Sequence, residues 1–247
     1  MEEIIAGKHA VLEALRSGRT VNKIWLAQGS APHQLQAVVE EAKKLGVMYQ
    51  FVDRRKLDQM VDKDIRHQGV VAQAAPYEYA DLEDLFQAAK ERGEAPFFVI
   101  LDEIEDPHNL GSVIRTVECA GAHGVIIPKR RSAQVTAVVA RTSAGAAAFV
   151  PVARVSNLAQ AIDALKERGV WIAGADASAG QTAYEADLTG PLAIVIGSEG
   201  RGLSRLVREK CDFLVKLPLL GRIQSLNASV AAGILLYEAV RQRTARG

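Results

Sequence analysis

The chain has 247 residues, 49% of them hydrophobic, enough to fill one large core or two modest ones without covalent staples. A formal net charge of +1 excludes the basic character of a chain that grips nucleic acid over its whole surface, and leaves only local clusters to do so. Two distant cysteines, Cys119 and Cys211, exclude a disulfide framework or a zinc site and read as buried thiols, and nothing resembles a secretory leader or the roughly 18 apolar residues of a membrane span.

From Val11 to Ala75 short apolar runs alternate with amphipathic segments. Ile24 to Ala27 reads as a strand. Residues 33 to 45 read as a helix with Leu35, Val38, Val39 and Ala42 inward, stopped by Gly46, and Val47 to Val52 as a second strand. A helix at Leu57 to Val61 and a strand at Val70 to Ala74 complete a small α/β unit. Pro76 and the polar tract YEYAD follow it. The expected division is a first domain over 1–75, a linker over 76–80 and a second domain over 81–247.

In the second domain the pattern predicts helix Leu82 to Glu91, strand Phe97 to Leu101, helix Leu110 to Ala120 and strand Val125 to Ile127. Helix Thr136 to Arg141, strand Phe149 to Val152 and helix Leu158 to Arg168, capped by Ser156 or Asn157, come next. Strands Val170 to Ala173 and Leu192 to Ile196, helix Ser204 to Glu209, strand Phe213 to Leu217 and a long helix Asn227 to Arg243 close the chain. Continuous apolar strands alternating with helices imply a parallel sheet covered on both faces.

Three of these strands run into turns rich in Gly, Asn and Ser: FFVILDEIEDPHNLGSVIRT from Phe97, LAIVIGSEGRGLS from Leu192 and FLVKLPLLGRIQSLNASVAAG from Phe213. Turns at the carboxyl ends of parallel strands are where open α/β sheets bind ligands, and glycine lets backbone approach one closely. The order of elements excludes a Rossmann fingerprint, and no P-loop or G-x-S-x-G elbow is present. Asn109, Ser225 and Asn227 each stand where a helix cap is expected, and Glu199 would serve to satisfy donors of its own turn. Arg201, Arg205 and Arg208 border the second turn; like Arg54, Arg55 and Lys56, or Lys129, Arg130 and Arg131, each alone reads as surface charge. His108 and His123 lack metal-ligand partners and read as structural.

Together EDPHNLGSVIRT (from Glu105), IGSEGRGLS (from Ile196) and LPLLGRIQSLNASVAAGILLYEAVRQR (from Leu217) closely resemble, in order, the three motifs of the SpoU/TrmH branch of the SPOUT RNA methyltransferases. The first domain, with RHQGVVA from Arg66, is similar to the L30e-like substrate-binding domain of bacterial 23S rRNA guanosine 2'-O-methyltransferases of the RlmB type. The resemblance implies a deep C-terminal trefoil knot, a homodimer, a cytoplasmic location, S-adenosylmethionine as methyl donor and a ribose 2'-hydroxyl of 23S rRNA as acceptor, with no metal and no membrane. A tRNA 2'-O-methyltransferase and a non-catalytic RNA-binding knot protein are the alternatives.

It assigns catalysis to Arg115 with Asn109, Glu199, Ser225 and Asn227. An arginine with its usual pKa above about 12 is a poor base, so orienting and stabilising the developing alkoxide is the preferred role for Arg115. Adenine suits an apolar slot lined by main-chain groups, which fits Ile196, Gly197, Leu217, Leu219 and Leu226. Gly200, Ser225, Thr142 and Gly174 complete the expected cofactor contacts.

Overall fold

Runs of five apolar residues need cover on both faces. In the computed structural model, which describes residues 3–16, 20–29, 32–62 and 65–245, they form the middle of a sheet. In chain order the elements are β1 (Glu3–Ala6), α1 (Lys8–Arg16), β2 (Val21–Ala27), α2 (Pro32–Lys44), β3 (Met48–Val52), α3 (Arg54–Met60), β4 (Val70–Ala74), α4 (Leu82–Glu91), β5 (Phe97–Leu101) and α5 (Pro107–Cys119). Then follow β6 (Gly124–Pro128), α6 (Ala137–Thr142), β7 (Val152–Val155), α7 (Leu158–Glu167), β8 (Trp171–Ala175), β9 (Gln181–Thr182), β10 (Leu192–Ile196), α8 (Arg205–Lys210), β11 (Phe213–Lys216) and α9 (Ala228–Ala245).

The contacts divide the chain into two compact units, one of residues 1–78 with 135–148, the other of 79–134 with 149–247. Segment 135–148, assigned by sequence to the second domain, thus packs with the first unit, where α6 lies against α1. In that unit the described residues form a four-stranded sheet in the order β1-β4-β2-β3, with only the β2–β3 pair parallel. Ile24, Leu26, Val38, Ala42, Val70 and Ala72 fill one face, and Leu57 of α3 closes the other over Ala27, Val52 and Val71.

The second unit carries seven strands among its described residues, in the order β7-β6-β5-β10-β8-β11-β9, every neighbouring pair parallel. All residues of β5 and β10 are buried, and the two run in register from Phe97 opposite Leu192 to Leu101 opposite Ile196. After β5 the chain builds outward through β6 and β7, then returns to build the other half. The β5–β10 seam is therefore a switch point of the kind beside which α/β proteins bind ligands. Helix α9 packs on α5 and β10. No helix among the described residues is long and apolar enough to cross a membrane.

Four local expectations need correction. The strand expected at Phe149 to Val152 starts only at Val152, because a 3-10 turn precedes it, Phe149 is exposed and Pro151 has no N–H for a ladder. The short strand β1 was not anticipated; four residues carry no readable period. Cys119 is exposed rather than buried. Asn109 does not cap α5: Asp106 does, accepting from the His108 N–H at 2.8 Å, with Pro107 in the first turn. His123 is structural as expected. It is buried, its Nδ1 accepts from the Phe97 N–H at 3.1 Å, and Nε2 meets Glu94 at 3.0 Å. Burial lowers its pKa, with Arg92 adding to the effect.

Candidate active site

Three strand ends converge on one polar network. Moving the start of α5 back to Pro107 puts Asn109 inside the first turn, where its side chain is buried. The loop after β10 is folded on itself. Ser198 and Gly202 exchange two backbone hydrogen bonds of 3.1 and 2.8 Å, and a Cβ on Gly197 would lie 2.2 Å from the Gly202 carbonyl carbon. Only glycine fits there. Asp102, buried at the end of β5, fastens this loop by accepting from the Ser204 N–H at 2.6 Å, while its own N–H donates to the Ile196 carbonyl at 2.8 Å.

The loop so held presents Glu199. Its Oε1 accepts from Asn109 Nδ2 at 2.9 Å, from Asn227 Nδ2 at 2.5 Å and from the Ala228 N–H at 3.3 Å, and Asn227 Nδ2 also reaches Asn109 Oδ1 at 2.9 Å. Asn227 meanwhile caps α9, its Oδ1 accepting from the Ser229 and Val230 N–H groups at 3.0 and 3.2 Å. The capping role and the network role belong to one side chain, because the amide has an acceptor end and a donor end.

Beside this network lies a cavity of about 410 Å³, within the size range of small-molecule sites. Ile196, Gly197, Ser198, Glu199 and Gly200 wall it from β10. Leu217, Leu219, Ser225 and Leu226 wall it from the segment after β11, and Ala228, Ala231 and Leu235 of α9 close it. Apart from the Arg222 carbonyl, which accepts from Gln224 Nε2 at 3.5 Å, backbone groups of residues 217–226 make no hydrogen bond with described residues. An apolar slot edged by open main-chain donors and acceptors can hold a flat heterocycle by its edge.

The expected residues therefore separate. Ile196, Gly197, Glu199, Gly200, Leu217, Leu219, Ser225 and Leu226 line the cavity, and Asn109 and Asn227 join Glu199. Gly174 does not line it. A Cβ there would lie 2.7 Å from both Cys211 Sγ and Leu214 Cδ2, so this glycine serves packing. Thr142 stands at the end of α6 in the first unit and is also outside the lining. Arg115 is exposed, six residues beyond Asn109, which is about 9 Å along the helix and two-thirds of a turn round. Among the described residues its side chain has no hydrogen-bond or ion-pair partner.

Sequence reading missed Asp176, Ser198, Lys216 and Gln224, all of which line the cavity. Asp176 follows β8 in GADASAG, a fourth apolar run ending in small and polar residues. Burial opposes its charge, but Ser178 and Arg208, whose Nε donates at 2.7 Å, outweigh it and hold the carboxyl below its usual range. The Ser198 Oγ is buried and has no hydrogen-bond partner among the described residues. Burial pushes the Cys211 thiol, against Gly174, up to about 12, so it stays neutral. Among the described residues no three His, Cys, Asp or Glu side chains are grouped to hold a metal.

A parallel α/β sheet with a glycine-walled cavity at its carboxyl edge defines a ligand-binding enzyme fold, and comparison with known proteins gives its class. The chain belongs to the SpoU rRNA methylase family, whose sequence model matches residues 96–237, while a model described as RNA 2'-O ribose methyltransferase substrate binding matches residues 4–80. YacO of Bacillus subtilis (strain 168), named for the TrmH family of tRNA/rRNA methyltransferases, is 56% identical over 245 residues, 99% of this chain and 98% of that protein. The SpoU methyltransferase AviRb from Streptomyces viridochromogenes, solved in complex with AdoMet, matches with a TM-score of 0.79 at 27% identity over 98% of this chain and 91% of that one. An rRNA methyltransferase from Sinorhizobium meliloti matches with a TM-score of 0.69 at 25% identity over 97% and 87%. The family read from the three motifs is thus established, and the parallel α/β architecture is that of solved SpoU methyltransferases.

Proposed function

We propose that this RNA methyltransferase uses S-adenosylmethionine to methylate a guanosine ribose 2'-hydroxyl of 23S rRNA in the cytoplasm. The observation that carries the reading is the cavity beside the Asn109–Glu199–Asn227 network, edged by the open backbone of residues 217–226. Its chemistry fits the cofactor: an aliphatic slot for adenine, main-chain groups for the adenine edge, and the Asp176 carboxylate with the Ser225 hydroxyl for the more polar end. The bound cofactor supplies an activated methyl group. The chain must align the acceptor oxygen and ease loss of its proton. Glu199 orients Asn109 and Asn227, and Arg115, unpaired and exposed, is free to meet the acceptor and stabilise its developing charge.

The substrate-binding match over residues 4–80 supports a role for the N-terminal domain in RNA recognition. The return of Asn227 to Glu199 and Asn109 supports the knotted path for residues 217–227. Val230, Ile234 and Tyr237 leave an apolar stripe exposed on α9, a helix whose other face is already buried. Such a helix calls for cover on both sides, which supports a homodimer built there.

The test is transfer of labelled methyl groups to deproteinised 23S rRNA, with mass mapping of the product and tRNA assayed in parallel. A 2'-O-methylguanosine in 23S rRNA is the expected product; label in tRNA alone would replace the assignment with the tRNA one. Arg115→Ala should lower turnover by at least about 10²-fold, the scale of a lost transition-state contact, with cofactor affinity retained. Unchanged turnover would remove Arg115 from the site.

A further inference from the structure

Four described residues other than glycine adopt a positive φ, and two of them, Glu103 at 58° and Arg131 at 53°, are joined to each other. Arg131 Nη1 donates to Glu103 Oε1 at 2.8 Å, and Arg201 Nη2 lies 3.1 Å from Glu103 Oε2. The three residues follow β6, β5 and β10, which are neighbours in the sheet, so one carboxylate ties three adjacent strand ends. The framework beneath is stiff: the Ala133 N–H donates to the Ile104 carbonyl at 2.8 Å, and Asp102 holds the Ser204 N–H. Backbone held in a sparsely populated region is kept where the surroundings impose it, and such positions gather at functional sites.

The arginines themselves are open. Their side chains are 69% and 70% exposed, against 17% for Glu103, and each spends one nitrogen on the carboxylate, leaving most of its five N–H donors free. Lys129 and Arg130 stand exposed beside Arg131, and besides Glu103 the Glu105 carboxylate also acts on it. The cavity is walled from β8, β10 and β11; Arg201 stands in its β10 loop between the lining residues Gly200 and Gly202, while Glu103 and Arg131 lie across the β10–β5 seam, so the braced pair runs from the cavity's wall onto the β5–β6 half of the sheet. A pair of guanidinium groups fixed in orientation matches the oxygens of a phosphodiester.

We propose that Arg131 and Arg201, held by Glu103 over the ends of β6, β5 and β10, are a docking site for one phosphate of the RNA acceptor strand. The proposal rests on the reading of RNA as acceptor. It is tested by titrating the full-length protein with a short fluorescein-labelled single-stranded RNA over a series of salt concentrations, with cofactor affinity measured by calorimetry on the same samples. The Arg131→Ala/Arg201→Ala double variant should bind RNA about tenfold more weakly and lose about 0.7 from the slope of log K against log salt, one phosphate contact on a single strand. Cofactor affinity should not change in the Arg131→Ala single variant, whose residue follows β6, across the β10–β5 seam from the cavity. Arg168→Ala supplies the control, since Arg168 is likewise exposed and paired to one carboxylate, Glu83, but precedes β8 at the amino edge of the sheet. It should keep the wild-type slope. A double variant that melts earlier yet keeps the wild-type slope would reduce the pair to a structural brace and overturn the proposal. Failure of the wild-type protein to bind RNA at all would overturn the RNA reading with it.

Discussion

Two segments wall the same cavity in opposite ways. The loop after β10 is tied internally by the Ser198–Gly202 pair, sealed by the missing side chain of Gly197 and pinned from β5 through Asp102. The segment after β11 spends almost none of its backbone hydrogen-bonding capacity on the described residues, and it exposes Leu220 and Ile223. Unpaired backbone groups are tolerable in water and expensive when buried, so the open segment becomes cheaper to cover once a ligand or a second chain supplies partners. One wall is built by folding and the other is left for binding to complete.

The largest effect should come from breaking the finished wall. Gly197→Ala puts a carbon 2.2 Å from the Gly202 carbonyl carbon, and the backbone there cannot step aside as a flexible side chain would. A loss of about 3 kcal/mol in unfolding free energy, with cofactor binding abolished, is the expected result. A variant that melts like the wild type would show the loop to be as adaptable as its partner segment.

Next comes the joint between the walls. Asn227→Ala removes a cap from α9 and strips donors from Glu199 and Asn109, for an expected loss of about 2 kcal/mol by denaturant unfolding. Asn227→Asp separates the two roles. It keeps the cap acceptor but sets a carboxylate against Glu199, so turnover should fall as far as in the alanine variant while less stability is lost. Equal stability loss in both variants would mean that the network, not the cap, carries the energy.

How much of this was legible in the sequence depends on how local each cause is. Helix α4 spans the expected Leu82 to Glu91, and the capping box that starts it, Asp81 with Asp84, is written within four positions. The start of α5 was equally local and was misread: Asp106 followed by Pro107 is a cap and first turn, and Asn109 only imitates one. The parallel sheet followed from unbroken apolar strands. Gly174 looked like a ligand glycine because its reason, contact with Cys211, Leu214 and Leu203, comes from residues distant in sequence. The triple acceptance at Glu199 was equally invisible, since its donors stand 90, 28 and 29 residues away. No periodicity brings such residues together; the motif order pointed to them through the family alone.

The smallest effect on stability should come from the open segment, and there the comparison is sharpest. Ser225 is exposed, lines the cavity and has no partner among the described residues. Its replacement by alanine should shift the unfolding free energy of the ligand-free protein by less than about 0.5 kcal/mol, as for other surface changes. The same variant should bind S-adenosylmethionine several-fold more weakly. Native-state hydrogen exchange supplies the matching map. Saturating cofactor, at about 100 times its dissociation constant, adds roughly 2.7 kcal/mol to the folded state, and the added protection should concentrate in residues 217–226, with residues 197–204 already slow to exchange without it. Protection gained first in 197–204 would reverse the roles of the two walls.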